Sequence, residues 1–409
     1  MSIPRPFVAL SIATVLSTTG TRFSAIAIPW LVLTTTGSPV LTGLAGFAEM
    51  LPYVLAKALG GPLIDRIGAR RIAVWCDVLS TIAVALVPLL YWAGMLSIWV
   101  LLPCVALIGV LRAPSDAAKQ ALVPTVASLA QVPLERVTGV VGASERLAGT
   151  LGAASAGALI ALLGSGGALV VNALAFLLSA VVLGLGVAGR HVPAPLEKAT
   201  GSSYGAELVA GWQVLRKDAV LMGLVIMIAV TNLFDQAYSM VLLPVWVHTA
   251  GLDVSWVGIL LACFSGSAIL GAAVAAVYGA RLPRLLLYTV GFFCAGPLAM
   301  GIYAINLPLP GIVVVLLMGG FAAGFINPIV GAILFERIPA PMVGRVIALV
   351  GALTWSLIPF GGLYAGLLVD GAGIAVAFGV TALLYFVATV VPLSVPSFRQ
   401  MNRRAVVPV

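Results

Sequence analysis

Ionisable side chains stand inside stretches that are otherwise almost wholly apolar, Arg22, Glu49, Arg112, Asp116 and Asp235 among them. A charge in a bilayer-length apolar run is costly unless it is paired or faces water, so such residues mark a substrate or ion pathway. A carboxylate there can take up and release a proton as its surroundings change between dry, wet and ion-paired, and an arginine can set which state is favoured. Arg22 and Asp235 each lie mid-run in the first span of a half-chain, which makes them the first candidates to meet a substrate or a proton. Glu49 either carries a proton or holds Arg22, and Asp235 is either protonated or paired with Arg22. Arg112, Asn232, Gln236 and Asn327 are further candidates to line a cavity. The bland reading for Arg112, Asp116, Glu145 and Arg146 is structural ion pairing, and for Lys57 and Asp77 a mutual pair or snorkelling toward the membrane face. In the N-terminal half, Arg22, Lys57, Arg112 and Arg146 balance Glu49, Asp77, Asp116 and Glu145, the neutrality that a low-dielectric interior tolerates.

The chain is 62% hydrophobic and 8% charged, against about a quarter charged in soluble domains. An integral membrane protein is the expectation. A spanning helix takes about 20 mostly apolar residues, and twelve such runs lie near 7–34, 39–60, 72–93, 97–118, 137–163, 167–189, 219–247, 254–279, 284–305, 311–335, 343–368 and 372–394. Alternating strand patterning is absent, which excludes a barrel. The first run is far longer than the core of a signal peptide and has no small-residue cleavage site behind it, so it is expected to be retained. Lys and Arg fall in alternate loops: Arg66, Arg70 and Arg71; Lys119 and Arg136; Arg190, Lys198, Arg216 and Lys217; Arg281 and Arg284; Arg337 with Arg345; and Arg399, Arg403 and Arg404 at the end. The loops near 35–38, 94–96, 164–166, 248–253, 306–310 and 369–371 hold none. This pattern predicts both termini in the cytoplasm. It also explains the net charge of +8 as topology, with no nucleic-acid partner implied. Only four lysines beside abundant Ala, Gly, Val and Leu fit a high-GC bacterium, hence a bacterial inner (cytoplasmic) membrane.

Residues 190–218 divide six spans from six. The expected organisation is an N-terminal bundle over 1–189, a cytoplasmic linker over 190–218 and a C-terminal bundle over 219–409. Leu208, Trp212 and Leu215 recur at helical spacing in the linker and predict a short amphipathic helix near 204–216. An offset of 213 carries Arg22 onto Asp235 and Arg71 onto Arg284, which makes the halves read as repeats. The cysteines Cys76, Cys104, Cys263 and Cys294 are far apart, and His191 and His248 are isolated. Neither a metal, another cofactor nor an intramembrane enzyme site is expected, and no P-loop is present.

Between spans 2 and 3 the chain reads Gly60-Gly61-Pro62-Leu63-Ile64-Asp65-Arg66-Ile67-Gly68-Ala69-Arg70-Arg71. From Gly61 on it resembles the signature G-x-L-x-D-R-x-G-R-[RK] of the major facilitator superfamily, with Ala69 standing where a basic residue is usual. The resemblance implies an all-α fold of twelve transmembrane helices in two pseudo-symmetric six-helix bundles that alternate access to a central cavity. It makes Gly61, Asp65, Arg66, Gly68, Arg70 and Arg71 a conformational latch, with Asp65 bonding Arg112, a loop arginine or the start of span 11 when the cytoplasmic side is closed. Ile26–Leu33 with Thr36–Pro39, Ala48–Pro52, Asn172–Ser179 and Pro339 with Gly344-Arg345-Val346 resemble more closely the drug:proton antiporter branch that holds macrolide-efflux proteins and the enterobactin exporter. Residues 149–157 keep that branch's glycines but lack its proline.

The resemblance implies a monomeric secondary transporter that exports amphipathic small molecules (drugs, antibiotics or siderophore-like compounds) and exchanges them for protons, with lipid as its other partner. The alternative is an importer or facilitator of a small polar solute on the same fold; the small number of polar residues in spans 4, 7 and 10 counts against it. A receptor or scaffold would need a sizeable exposed domain, and no loop is long enough.

Overall fold

The computed structural model describes residues 4–187, 204–278, 283–305, 307–339, 342–394 and 398. Those residues form helices and short turns. Helices α1 (Arg5–Thr36), α2 (Pro39–Leu59), α3 (Gly61–Ile67), α4 (Ala69–Trp92), α5 (Ile98–Ala130) and α6 (Leu134–Gly186) hold the first six spans. They are followed by α7 (Tyr204–Lys217), α8 (Ala219–Ala237), α9 (Leu243–Thr249), α10 (Ser255–Tyr278), α11 (Arg284–Phe293) and α12 (Ala299–Ala304). Last come α13 (Leu309–Ala323), α14 (Ile326–Arg337), α15 (Val343–Trp355), α16 (Ile358–Ala372) and α17 (Ile374–Ser394).

Among the described residues, nine helical stretches are long and apolar enough to cross a bilayer. One of them, Arg136–Gly186, holds two spans; the shorter Ile374–Val390 and the N-terminal Arg5–Thr36 complete the twelve. The loop expected near 164–166 is reduced to a fold in α6 at Gly164, whose φ of 72° and ψ of 170° suit a residue without a Cβ. Thr36-Gly37-Ser38-Pro39 punctuates α1 and α2. The Gly37 N–H closes α1 on the Leu33 carbonyl, the Ser38 hydroxyl accepts the Leu41 N–H, and Pro39 opens α2. Asp218 caps α8 by accepting the Val220 and Leu221 N–H groups at 2.8 and 3.1 Å. Large apolar side chains face outward, Leu162 and Leu185 being 81% and 83% exposed, a surface suited to lipid tails.

The chain resolves into two compact units. One comprises residues 1–198 with 243–262, and the other 199–242 with 263–409. In the first, α1 packs along α6 with small residues at the crossing: Gly20 faces Asn172, and Gly186 faces Ala9. Asn172 donates to the Ser24 hydroxyl within the same seam. The segment 243–262 joins this unit because α9 packs on α1 and because Gly157 and Gly258 leave room for α6 and α10 to meet at Ser255 and Ala153.

In the second unit, several spans are interrupted. Span 7 passes through a π-helical turn, Tyr238–Leu242, and span 9 through another, Cys294–Leu298, which contains Pro297. Span 10 breaks between α13 and α14 just ahead of Pro328, and span 11 between α15 and α16 just ahead of Pro359. Proline accounts for the last three, since it offers no N–H to the preceding turn. The expected surface helix is present as α7, with Leu215 buried and Val209 and Trp212 exposed. The rest of the linker, including Arg190, His191 and Lys198, lies outside the described residues, as do Arg281, Arg399, Arg403, Arg404 and the side chain of Arg345.

Candidate functional site

The first unit gathers its charges into two buried clusters. In the first, Glu49 on α2 meets Arg112 on α5, Oε1 to Nη1 at 2.6 Å, with the residues 1% and 6% exposed. Glu49 therefore does not hold Arg22, as one reading of the sequence had it. The reason lies in Gly109, one turn before Arg112. A Cβ there would collide with the Glu49 carbonyl oxygen and stand 3.1 Å from its carbon, so the glycine is what lets α2 and α5 approach closely enough for the pair to form. The Arg112 guanidinium also lies over the Tyr53 ring, 4.4 Å from its centroid, and the Tyr53 hydroxyl donates to Asp116 at 3.1 Å. Lys57 stands over the same ring at 5.6 Å. Tyr53 thus separates Arg112 from a second carboxylate. Arg112 Nε is buried with no acceptor among the described residues, so the cluster is incompletely satisfied.

Gly109→Ala tests this geometry. The added methyl must push α2 from α5, and overpacking of this kind costs about 1–3 kcal/mol. Lowered thermal stability in detergent is the expected result; a melting temperature equal to that of the parent would show that the helices adjust freely.

The second cluster was not foreseen. Asp77 on α4 is fully buried and binds Lys119 on α5, 2.8 Å from Oδ2 and 3.0 Å from Oδ1. Ser115 donates to Oδ1 at 2.5 Å, and Ser179 on α6 lies 2.6 Å from Oδ2 and 3.0 Å from the Ala13 carbonyl of α1. One carboxylate therefore ties four helices. This corrects two expectations. Asp77 pairs with Lys119 and not with Lys57, and Lys119 is no loop charge, because α5 continues to Ala130 and carries it into the core. Every Asp77 oxygen is engaged twice, the mark of a structural tie.

The remaining candidates separate. Arg22 is exposed and belongs to none of the four ion pairs among the described residues. Its stem runs over Gly152, where a Cβ would stand 3.2 Å from its Cβ and 3.3 Å from its Cγ, and its guanidinium passes Gly149. Glu145 is half-buried, Arg146 is exposed, and neither joins an ion pair there. As helix neighbours they point to different faces, and no ion pair joins them among the described residues. In the latch, Gly61–Ile67 forms α3, and Gly68, at φ 95°, turns the chain into α4. Arg70 donates to the Gly184 carbonyl, whereas Asp65, Arg66 and Arg71 are exposed. Arg112, one expected partner of Asp65, is engaged by Glu49.

In the second unit, Asp235 is exposed on the last turn of α8 before the π-helical turn, a distortion frequent at functional sites. Its carboxyl lies near the hydroxyl of Tyr385 on α17. The flanking polar residues serve the fold: Asn232 donates to the Thr354 carbonyl at the break in span 11 at 2.9 Å, and Gln236 to Met240 Sδ at 3.0 Å. Asn327 is exposed in the first turn of α14. Arg284 forks onto Glu336 through two 2.7 Å bonds, and Arg337 binds Asp218 at 2.8 Å. Tyr53, Lys119, Ser115, Ser179 and Tyr385 all escaped the sequence reading. Of these only Lys119 carried a signal, as a cation 42 residues beyond an unexplained intramembrane aspartate.

Twelve apolar spans, charge clusters sunk between helices and a glycine-punctuated turn at Gly61–Arg71 define a multi-pass membrane transporter. Residues 10–359 match the Major Facilitator Superfamily, and the chain belongs to it. It is 30% identical over 400 residues to the multidrug efflux pump Tap of Mycobacterium tuberculosis, covering 95% of this chain and 93% of that protein. It is 23% identical to macrolide efflux protein A of Streptococcus pyogenes over 83% of each chain. Among solved structures, the nucleoside transporter NupG superposes with a TM-score of 0.73 at 14% identity, over 95% of this chain and 98% of that one. A bacterial homologue of the iron transporter ferroportin, in an inward-facing state, does so with a TM-score of 0.72 at 15% identity, over 97% and 100%. The last two likenesses concern the fold alone.

Proposed function

We propose that this chain is a secondary active exporter of amphipathic small molecules, working by alternating access and proton-coupled antiport in a bacterial inner membrane. The observation that carries the reading is the similarity along 95% of the chain to a protein named as a multidrug efflux pump. The Glu49–Arg112 cluster and the exposed mid-span ions supply the chemistry, and the Asp77 cluster supplies the scaffold. On this reading both termini are cytoplasmic, the protein works as a monomer in its lipid, and Gly61, Asp65, Arg66, Gly68, Arg70 and Arg71 form the latch.

The coupling step is assigned to Glu49 or Asp235. A proton taken by Glu49 cancels its charge and frees Arg112. Asp116, reached across the Tyr53 ring that Arg112 already touches, is the carboxylate placed to receive it. Release of the proton restores the Glu49 pair. Exchanging partners in this way keeps the guanidinium compensated throughout, which a buried cation requires. Asp235 differs in belonging to no ion pair among the described residues. Arg22 is assigned to substrate contact, its exposed head meeting an acidic or polar portion of the substrate.

Proteoliposomes with an imposed pH gradient, offered a panel of dyes, macrolides and siderophores, test the function. Gradient-dependent accumulation of at least one compound is expected, and at least one of Asp235→Asn and Glu49→Gln is expected to uncouple accumulation from the gradient while leaving substrate binding intact. No gradient-dependent movement of any compound, together with counterflow of a sugar or other small polar solute, would replace this reading with the facilitator.

A further inference from the structure

At the arginine-free end of the first unit the fold borders an open cavity of about 440 Å³, within the roughly 300–1,000 Å³ of small-molecule sites. Its walls include Trp30 and Thr34 of α1, Tyr91 and Trp92 of α4, the Gly164–Gly166 fold of α6 and Asp253 between α9 and α10. In the sequence, Trp30 and Trp92 read as part of an interfacial belt with Trp99, Trp246 and Trp256. In the structure, those two border one space. The cavity depends on glycine: a Cβ at Gly166 would stand 3.2 Å from the Trp92 ring, and Gly164 folds α6 away without a side chain of its own. His248 packs edge-on against Trp30 with centroids 5.7 Å apart, fixing that indole.

The charge in this space is single and fixed. Asp253 accepts the Ser255 N–H at 2.8 Å. Hydrogen bonds from Ser255, its side chain first and its backbone N–H next, hold the carboxyl below its ordinary range, so it is charged at neutral pH. The loops 35–38, 94–96, 164–166 and 248–253 contain no Lys or Arg to neutralise it. Aromatic rings beside a carboxylate that answers only the start of α10 make a receptor for a cation with apolar substituents: the rings attract positive charge through their quadrupoles, and the carboxylate attracts it directly.

We propose that this cavity binds a lipophilic organic cation. It shares no residue with the Glu49, Asp77 or Asp235 clusters and does not depend on proton coupling. On the orientation proposed above it opens at the outer face, where it would take a cation on exit or a quaternary lipid headgroup from the leaflet.

The test uses the whole protein in nanodiscs of phosphatidylglycerol, with empty discs as the blank. Tetraphenylphosphonium is titrated against tetraphenylborate, which has the same shape and the opposite charge. Saturable binding of the cation alone is expected. Asp253→Ser keeps a hydroxyl acceptor for the helix start while removing the charge, and Trp92→Leu removes a ring on a different helix. Each should weaken a binding component roughly tenfold, the scale of a lost charge or cation–π contact, while Trp75→Leu, which removes an exposed tryptophan outside the cavity, leaves that component unchanged. Suppression of the component in phosphatidylcholine discs supports the site with a headgroup as its resident, and persistence supports it with a free cation. If both variants bind like the parent, or tetraphenylborate binds equally well, the tryptophans are an interfacial belt and the proposal fails.

Discussion

Glu49→Leu should be among the most damaging single substitutions in the protein, and adding Arg112→Met should restore most of the lost stability without restoring transport. The single change leaves a guanidinium buried to 6% exposure without its 2.6 Å carboxylate partner. Removing one member of a buried pair costs about 3–5 kcal/mol, whereas replacing both by apolar groups of similar volume is often neutral or stabilising. Asp116, beyond the Tyr53 ring, is the carboxylate to which Arg112 can swing, so the loss should fall toward the lower end of that range. Thermal unfolding of the two single variants and the double variant closes a double-mutant cycle. Proton-driven uptake into inverted vesicles then asks whether the recovered fold works. Independent, additive losses would show that the pair is not energetically linked, and a double variant that still pumps would remove it from coupling.

Asp77→Leu should destabilise the protein by a similar amount, about 3–5 kcal/mol, with the opposite functional signature. The substitution strands Lys119, which is 4% exposed, and at the same time leaves the Ser115 and Ser179 hydroxyls without their carboxylate. Lys119→Met should be milder, because Asp77 keeps two hydroxyl donors. The double variant Asp77→Leu/Lys119→Met should both fold and transport, since the tie joins helices and has every oxygen engaged. A double variant that folds as well as the parent yet fails to transport would move Asp77 from the scaffold into the mechanism. The two double variants, compared side by side, separate a charge pair that works from one that holds.

The spans were legible because nothing but an apolar run of bilayer length can cross a membrane as a helix, and the alternation of arginines fixed their number. What the sequence left hidden is which charge meets which. Glu49 and Arg112 are 63 residues apart, and Asp77 and Lys119 are 42 apart. Their pairing follows from how closely helices cross, and that is set by residues such as Gly109 that carry no chemical signal. Lys119 was misplaced because a span of ordinary length stops near 118, whereas α5 runs 33 residues to Ala130. Ser115 and Ser179 were invisible for a different reason. Hydroxyls in apolar helices usually bond back to their own carbonyl four residues earlier, as Ser155 does to Leu151 at 2.7 Å, and nothing local distinguishes those that reach across. The breaks in spans 10 and 11 were half-visible in Pro328 and Pro359; the π-helical turn after Asp235 had no such marker.

The Glu49–Arg112 pair also constrains how the chain enters the bilayer. Glu49 leaves the ribosome while Arg112 is still 63 residues from being made, an interval of several seconds at about 5–20 residues per second. Until then α2 carries an unanswered carboxylate, and its mean hydropathy of 1.3 is the lowest of the nine bilayer-length stretches. Insertion of a charge at a helix centre costs roughly 2.5–3.5 kcal/mol, so α2 has little reason to leave the translocon for lipid alone. Asp77 puts α4 in the same position until Lys119 and Ser179 arrive. The first spans are therefore expected to pass into lipid together, once α5 supplies both missing cations.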